Sequence, residues 1–365
     1  MRGKLLVDAR NFMNALEQDM LYAKDIIAVQ VMTFEGDQAG KLLIDAMLKS
    51  KAERKILLID AYTRAVINDH FVIGIEYLRS ASFRNEVRQT EALIRKAKAS
   101  GIEVKITNPL GIFMYKYPLR NHKKMIIIDA KISYLGGINF SDHNFAWHDA
   151  MIRLEDEEVG KCLMGDIYSS MDGFNQSRKV ELKDHDLYFL NGAKSRELYH
   201  DLFSILAKSK NSIDIISPYI SDPLLSFIRE NVHENVNVRI ISPFENNKSI
   251  FKKYLNNELA KGYFDLYHYN EGMSHLKAIL VDNETLIMGS SNFDVISYYF
   301  EQEVLLVSKD QALIQEFKEH VLKVDLQASM RVERDEKNQT SISTLLIKLL
   351  NSASEIASTT FLKPK

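Results

Sequence analysis

The chain reads as an α/β protein of two pseudo-symmetric α/β/α halves, each a mixed sheet flanked by helices, with an active site between them. Three observations predict this. A cluster of chemically distinctive residues recurs at matched spacing, its two histidines 153 residues apart. Amphipathic helical stretches alternate with short apolar runs through both copies. The apolar runs are continuous rather than alternating, as strands buried on both faces require.

In the first half, "DARNFMNALEQDMLYAKDIIAVQVMTFEGD" reads as an amphipathic helix, a short polar stretch and a strand. "QAGKLLIDAMLKSKAERKILLIDAY" follows as a second helix and a buried strand, and "MIIID" as another strand. In the second half, "GAKSRELYHDLFSILAKSKNSIDIISPYISD" and "PLLSFIRENVHENVNVRIISPF" repeat the same rhythm. The halves are expected at 1–185 and 186–335, with a helical tail at 336–365. In that tail Leu345, Leu346, Leu349, Leu350 and Ile356 fall at helical spacing. Such a helix either lies in a membrane interface or docks on the protein, and with only Lys348 near its middle docking is favoured.

At 365 residues the chain is long enough for two ordinary domains. Its 46% hydrophobic and 26% charged residues make a globular balance. A net charge of −2 gives no global basic excess, so a nucleic-acid groove would have to be local. One cysteine, Cys162, excludes an internal disulfide framework and a cysteine metal cluster. The N-terminus breaks into charges too early for a signal peptide, and no window reaches the ~18 apolar residues of a membrane span. The expectation is a soluble or peripheral protein of a reducing compartment.

The repeated cluster carries the chemistry. From His122, Lys124 lies at +2, Asp129 at +7, Gly136 at +14, Asn139 at +17 and Phe140 at +18. From His275, the same offsets reach Lys277, Asp282, Gly289, Asn292 and Phe293. On a strand, residues i and i+2 share a face, so each histidine is expected beside its lysine. Each asparagine follows a glycine-containing turn (Gly136–Gly137, Gly289–Ser290) that brings its amide back to the same surface. Imidazole, ammonium and amide together suit phosphodiester substitution. The lysines and amides stabilise charge on the non-bridging oxygens; one imidazole attacks phosphorus and the other moves the proton. No metal or cofactor is required by this set. Asp129 and Asp282 are expected at the far strand ends as turn-holding residues.

These residues resemble the duplicated signature of the phospholipase D superfamily, H-x-K-x4-D followed by G-G/S-x-N. "RNHKKMIIID", "GGINFSD", "WHD" and "GSSNFDVISYYFEQEV" are similar to the signatures of bacterial cardiolipin synthases. The resemblance covers about residues 15 to 310. It implies exchange through a covalent phospho-histidine, with His122 as nucleophile and His275 as acid and base. It also implies that Asp149, at +27, and Glu303, at +28, orient the histidines. The implied substrates are a phospholipid and an alcohol acceptor, glycerol or phosphatidylglycerol, with water competing. The expected location is cytoplasmic, with peripheral attachment to the inner membrane face as the alternative. The chain departs from the pattern at Ile296, commonly arginine, and at Glu301, often asparagine, which leaves the precise substrate open. "PLGIFMYKYPLR", 109–120, directly before the first histidine, either meets acyl chains or a membrane surface or forms a core edge. The rival class is a nuclease of the same superfamily, which would need a basic groove where "LKSKAERK", "IRKAKAS" and "FKKY" read as solvated faces.

Overall fold

A computed structural model describes residues 2–334 and 342–361. The tail expected at 336–365 therefore falls partly outside the described residues. The chain divides into two compact units, Met1–Gln176 and Ser177–Lys365.

The strands of the first unit are β1 (Arg2–Val7), β2 (Ile26–Val31), β3 (Arg54–Asp60), a small hairpin of β4 (Val66–Ile67) and β5 (His70–Phe71), then β6 (Glu103–Thr107), β7 (Met125–Ile128), β8 (Ile132–Gly136) and β9 (Ala150–Glu155). Apart from the hairpin they form one mixed sheet in the order β1-β9-β8-β7-β2-β3-β6. Pairings within β2-β3-β6 are parallel and the rest antiparallel.

The second unit holds β10 (Arg178–Glu181), β11 (His185–Asn191), β12 (Ser212–Ile216), β13 (Asn237–Pro243), β14 (Asp265–Tyr269), β15 (Ala278–Val281), β16 (Thr285–Gly289), β17 (Gln302–Ser308) and β18 (Ser329–Arg331). Its sheet runs β10-β11-β17-β16-β15-β12-β13-β14-β18. The seven inner strands repeat the order and the sense of every pairing of the first sheet. The duplication in sequence is a duplication of topology.

Periodicity explains the layers. Ile27, Val29, Ile126 and Ile128 point to one face, where Phe12 and Leu16 of helix Asp8–Leu21 and Leu43 and Met47 of helix Gln38–Lys49 complete the core. The opposite face is covered by helix Glu157–Met171. In the second unit, Ile213, Ile215 and Ile279 meet Tyr199, Leu202 and Leu206 of helix Arg196–Ala207 and Leu225 and Ile228 of helix Leu224–Asn231.

The C-terminal helix, Ile342–Phe361, packs on helices Ser249–Leu259 and Val295–Tyr299. It does so through Ile347, which joins the core of the second unit, and through the small hydroxyl side chains Ser343, Thr344, Ser354 and Ser358 around it. Leu345, Leu346, Leu349, Leu350 and Ile356, the stripe that marks the helix in the sequence, face outward.

Candidate active site

Each unit gathers its histidine, lysine and asparagine at one end of three adjacent strands. In the first unit, Gly136 N–H donates to the Lys124 carbonyl at 3.3 Å and Gly137 N–H to that of Ala150 at 3.2 Å. These bonds align the start of β7, the end of β8 and the start of β9, which carry His122 and Lys124, Asn139, and Asp149. In the second unit the same ends of β15, β16 and β17 carry His275 and Lys277, Asn292, and Glu303, with Ser290 N–H donating to the Val304 carbonyl at 3.0 Å.

The His-x-Lys pair stands just outside the strand rather than within it. Residues 122–124 and 275–277 form extended lead-ins to β7 and β15. Lys124 Nζ donates to the His122 carbonyl at 2.6 Å, and Lys277 Nζ likewise donates to the carbonyl of His275. Each ammonium is thus held beside its own histidine, and all four side chains are buried.

A buried polar brace fixes the first lead-in. Asp60, at the end of β3, accepts from Arg120 Nη1 at 2.7 Å, the Asn121 N–H at 2.6 Å and the Tyr62 N–H at 2.7 Å. Burial pushes its carboxyl up to about 6, against the lowering pull of Arg120 and the N–H donors. Gln30 Nε2 donates to Asn121 Oδ1 at 2.8 Å. Lys123 turns the other way and forms an ion pair with Asp166 at 2.6 Å, both fully buried. Lys123 is thereby separated from its two neighbours His122 and Lys124.

The asparagines are braced differently. The Thr33 N–H donates to Asn139 Oδ1 at 3.1 Å, so the amide nitrogen is the end available as a donor. Ser217 Oγ donates to the Asn292 carbonyl at 2.7 Å, and the Asn292 N–H reaches Ser297 Oγ at 3.3 Å. Ser297 Oγ in turn donates to Glu303 at 2.8 Å, and Ser290 Oγ also donates to that carboxylate. In the first unit Asp149 Oδ1 accepts its own strand's Ala150 N–H at 2.8 Å. A Cβ on Gly137 would sit 2.4 Å from Asp149 Oδ1, so the glycine is what makes room for this carboxylate. At the matching place in the second unit, Ser290 binds the longer Glu303 side chain instead. Tyr219 adds an edge-on ring 6.1 Å from that of His275, and Lys248 Nζ lies 4.3 Å from the Tyr219 ring centre.

Asp129 and Asp282 occupy the opposite strand ends. Asp129 accepts the N–H groups of Lys24, Asp25 and Ile26 at 2.9, 2.8 and 2.9 Å. Asp282 accepts those of Lys210, Asn211 and Ser212 at 2.8, 2.7 and 2.9 Å. Both open a hairpin with two successive left-handed residues, Asp129–Ala130 and Asp282–Asn283, and aspartate and asparagine tolerate that backbone. Sequence spacing does not reveal Asp60, Thr33, Ser217 or Ser297. Of these, Asp60 alone carried a signal: a carboxylate ending the apolar run "KILLID".

Each unit thus carries one buried imidazole–ammonium–amide set at the same end of the same mixed-sheet topology. The family described as "Cardiolipin synthase, PLD-like domain" matches residues 16–166 and 202–324, and the chain belongs to it. The probable cardiolipin synthase YwiE of Bacillus subtilis (strain 168) is 22% identical over 339 residues, 86% of this chain and 63% of that protein. A cardiolipin synthase of Clostridium perfringens (strain SM101 / Type A) is 24% identical over 367 residues, 90% of this chain and 72% of that protein. Against the B. subtilis relative the chain thus spans less than two thirds of the partner's length. In fold it is similar to the phosphatidylserine synthase of Haemophilus influenzae Rd KW20, at 15% identity and a TM-score of 0.71, covering 99% of this chain and 95% of that one. Among the described residues no helix is long and apolar enough to cross a membrane.

Proposed function

We propose that the chain is a phosphatidyltransferase or phospholipase D of cardiolipin synthase type, acting on glycerophospholipid headgroups. The observation that carries this reading is the braced, buried His–Lys–Asn set present once in each unit. Cardiolipin synthase relatives along most of the chain support the lipid branch over the nuclease branch.

The chemistry asks His122 and His275 to act on one phosphorus. The His122 ring nitrogen attacks, an N–P bond forms, and the P–O bond to the headgroup alcohol breaks. His275, protonated, gives its proton to the departing oxygen. An acceptor alcohol then loses its proton to His275 and attacks, breaking the N–P bond and restoring His122. Lys124, Lys277 and the two asparagine amides hold the non-bridging oxygens throughout. Asp149 and Glu303 act as orienting carboxylates, and Asp129 and Asp282 as structural ones. Glycerol or phosphatidylglycerol is the proposed acceptor, with water in competition, and the protein is proposed to work as a peripheral protein at the cytoplasmic membrane face. The division proposed is a phospholipase D-like half in each unit, with the boundary after Gln176 rather than at the expected 185, because β10 and β11 pair in the second sheet, followed by a helical tail.

The test is incubation of purified protein with phosphatidylglycerol alone, where a second molecule is the acceptor, or with phosphatidylethanolamine plus glycerol, and separately with single-stranded and duplex DNA. A new phospholipid lost in both His122→Ala and His275→Ala supports the reading. DNA cleavage with untouched lipid overturns it.

A further inference from the structure

Two neighbouring segments of the first unit expose large apolar side chains ahead of the catalytic histidine. One follows β5 into the short helix Ile75–Arg79 and carries Ile73, Ile75 and Leu78; the other is the turn at Ile112–Met114 and carries Ile112, Phe113 and Tyr115. They meet where the ring of Phe71 lies 5.6 Å from that of Tyr117. Phe113 is 99% exposed and Ile73 80%. Surface side chains of this size gathered at one place mark an interaction surface.

The backbone presents them actively. Gly111, Phe113 and Met114 all have positive φ, at 75°, 51° and 59°. A bulky aromatic rarely adopts that conformation, and here the conformation leaves the ring in solvent. Tyr115 folds over Gly111, where a Cβ would stand 2.5 Å from its ring. The charged groups fit a lipid interface: Lys116 lies 5.4 Å from the Tyr115 ring centre, and with Arg79 it gives the two segments two cations against one carboxylate, Glu76. Aromatic rings beside snorkelling cations are the side chains that settle at headgroup depth. The same turn is tied to the signature, since Arg120 Nη2 donates to the Lys116 carbonyl at 2.8 Å and Asn108 Nδ2 to that of Leu119 at 3.0 Å.

We infer that this tip inserts into an anionic phospholipid surface and seats the His122 end of the first unit against it. The inference rests on the phospholipid reading, and names the surface through which that site meets its substrate.

The test is sedimentation with vesicles of equal parts phosphatidylglycerol and phosphatidylcholine, comparing the full chain with a Phe113→Asn, Ile112→Asn, Ile73→Asn variant. Asparagine tolerates the left-handed backbone at 113, and the replaced side chains are exposed, so the melting temperature should not move. Bound fraction should fall by about tenfold or more, from the apolar surface no longer buried. Turnover of vesicle lipid should fall with it, while turnover of a short-chain, monomeric phosphatidylglycerol stays unchanged. Emission of a Phe113→Trp variant should shift to the blue on vesicles by more than that of the parent, whose tryptophan is Trp147. A variant that sediments like the parent overturns the inference. So does a parent protein that ignores vesicles and instead self-associates through these residues. If binding depends on the tip but neither lipid form is turned over, the insertion stands and the phospholipid chemistry falls.

Discussion

Replacing Asp129 by alanine should cost stability and spare catalysis. The carboxylate takes three backbone N–H bonds at 2.8–2.9 Å from the start of β2. Bonds to a charged group contribute about 1.5–3 kcal/mol each when shielded, but the Lys24 and Asp25 amides reach water and recover most of theirs. The expected loss is therefore about 2–3 kcal/mol, most of it from Ile26 and the hairpin backbone. For a unit of this size that lowers the melting temperature by about 5–10 °C. The pH dependence follows from the carboxyl itself. Partial burial raises its pKa, but the N–H groups of Ile26, Lys24 and Asp25 outweigh burial and hold it below the ordinary 3.8. A depressed carboxylate stabilises the fold above its unfolded value, and that stabilisation is lost as pH falls through the folded value. Thermal melts of parent and variant should therefore differ fully at neutral pH and converge below about pH 4. Asp282→Ala should behave alike, through Lys210, Asn211 and Ser212. An Asp129→Ala protein that melts like the parent but turns over no phospholipid would refute the structural role.

Glu35 is buried, and burial pushes its carboxyl from 4.5 up to about 8. The folded state then holds a proton that the unfolded state lacks, so this group's contribution is fully present below 4.5 and lost as pH rises to about 8; Glu35→Gln should flatten the stability–pH curve over that window in urea titrations. Lys123→Ala strands buried Asp166 and should cost about 3–5 kcal/mol, whereas the Lys123→Met, Asp166→Leu pair should restore most of it by the same measurement. Gly137→Ala drives a methyl into Asp149 and should lower kcat by about 100-fold through misplacement. An unchanged kcat would separate Asp149 from the chemistry.

Much of the architecture is legible in the sequence because its causes are local. Continuous apolar runs such as "MIII" and "KILLID" suit interior strands, and matched offsets from His122 and His275 report a duplicated topology. That each histidine, lysine and asparagine would gather at one end of adjacent strands is legible for a similar reason, since the same offsets recur in both halves. What spacing cannot convey is support from distant segments. Thr33 reaches Asn139 across 106 positions and Asp60 reaches Asn121 across 61, with no periodic signal between them. Nor can periodicity tell which side of the C-terminal helix docks. Leucine spacing suggests one face, and the hydroxyl-lined face around Ile347 is the one that packs.

The proposed exchange passes through a covalent intermediate on His122, which mass mapping can detect. Protein mixed with phosphatidylglycerol, quenched under alkaline denaturing conditions that preserve phosphoramidates, should carry a phosphatidyl mass on the His122 peptide. The adduct should vanish in His122→Ala and persist longer in His275→Ala, where no base activates the acceptor. Lipid turnover without an adduct on either histidine, or an adduct that survives in His122→Ala, would overturn His122 as the nucleophile.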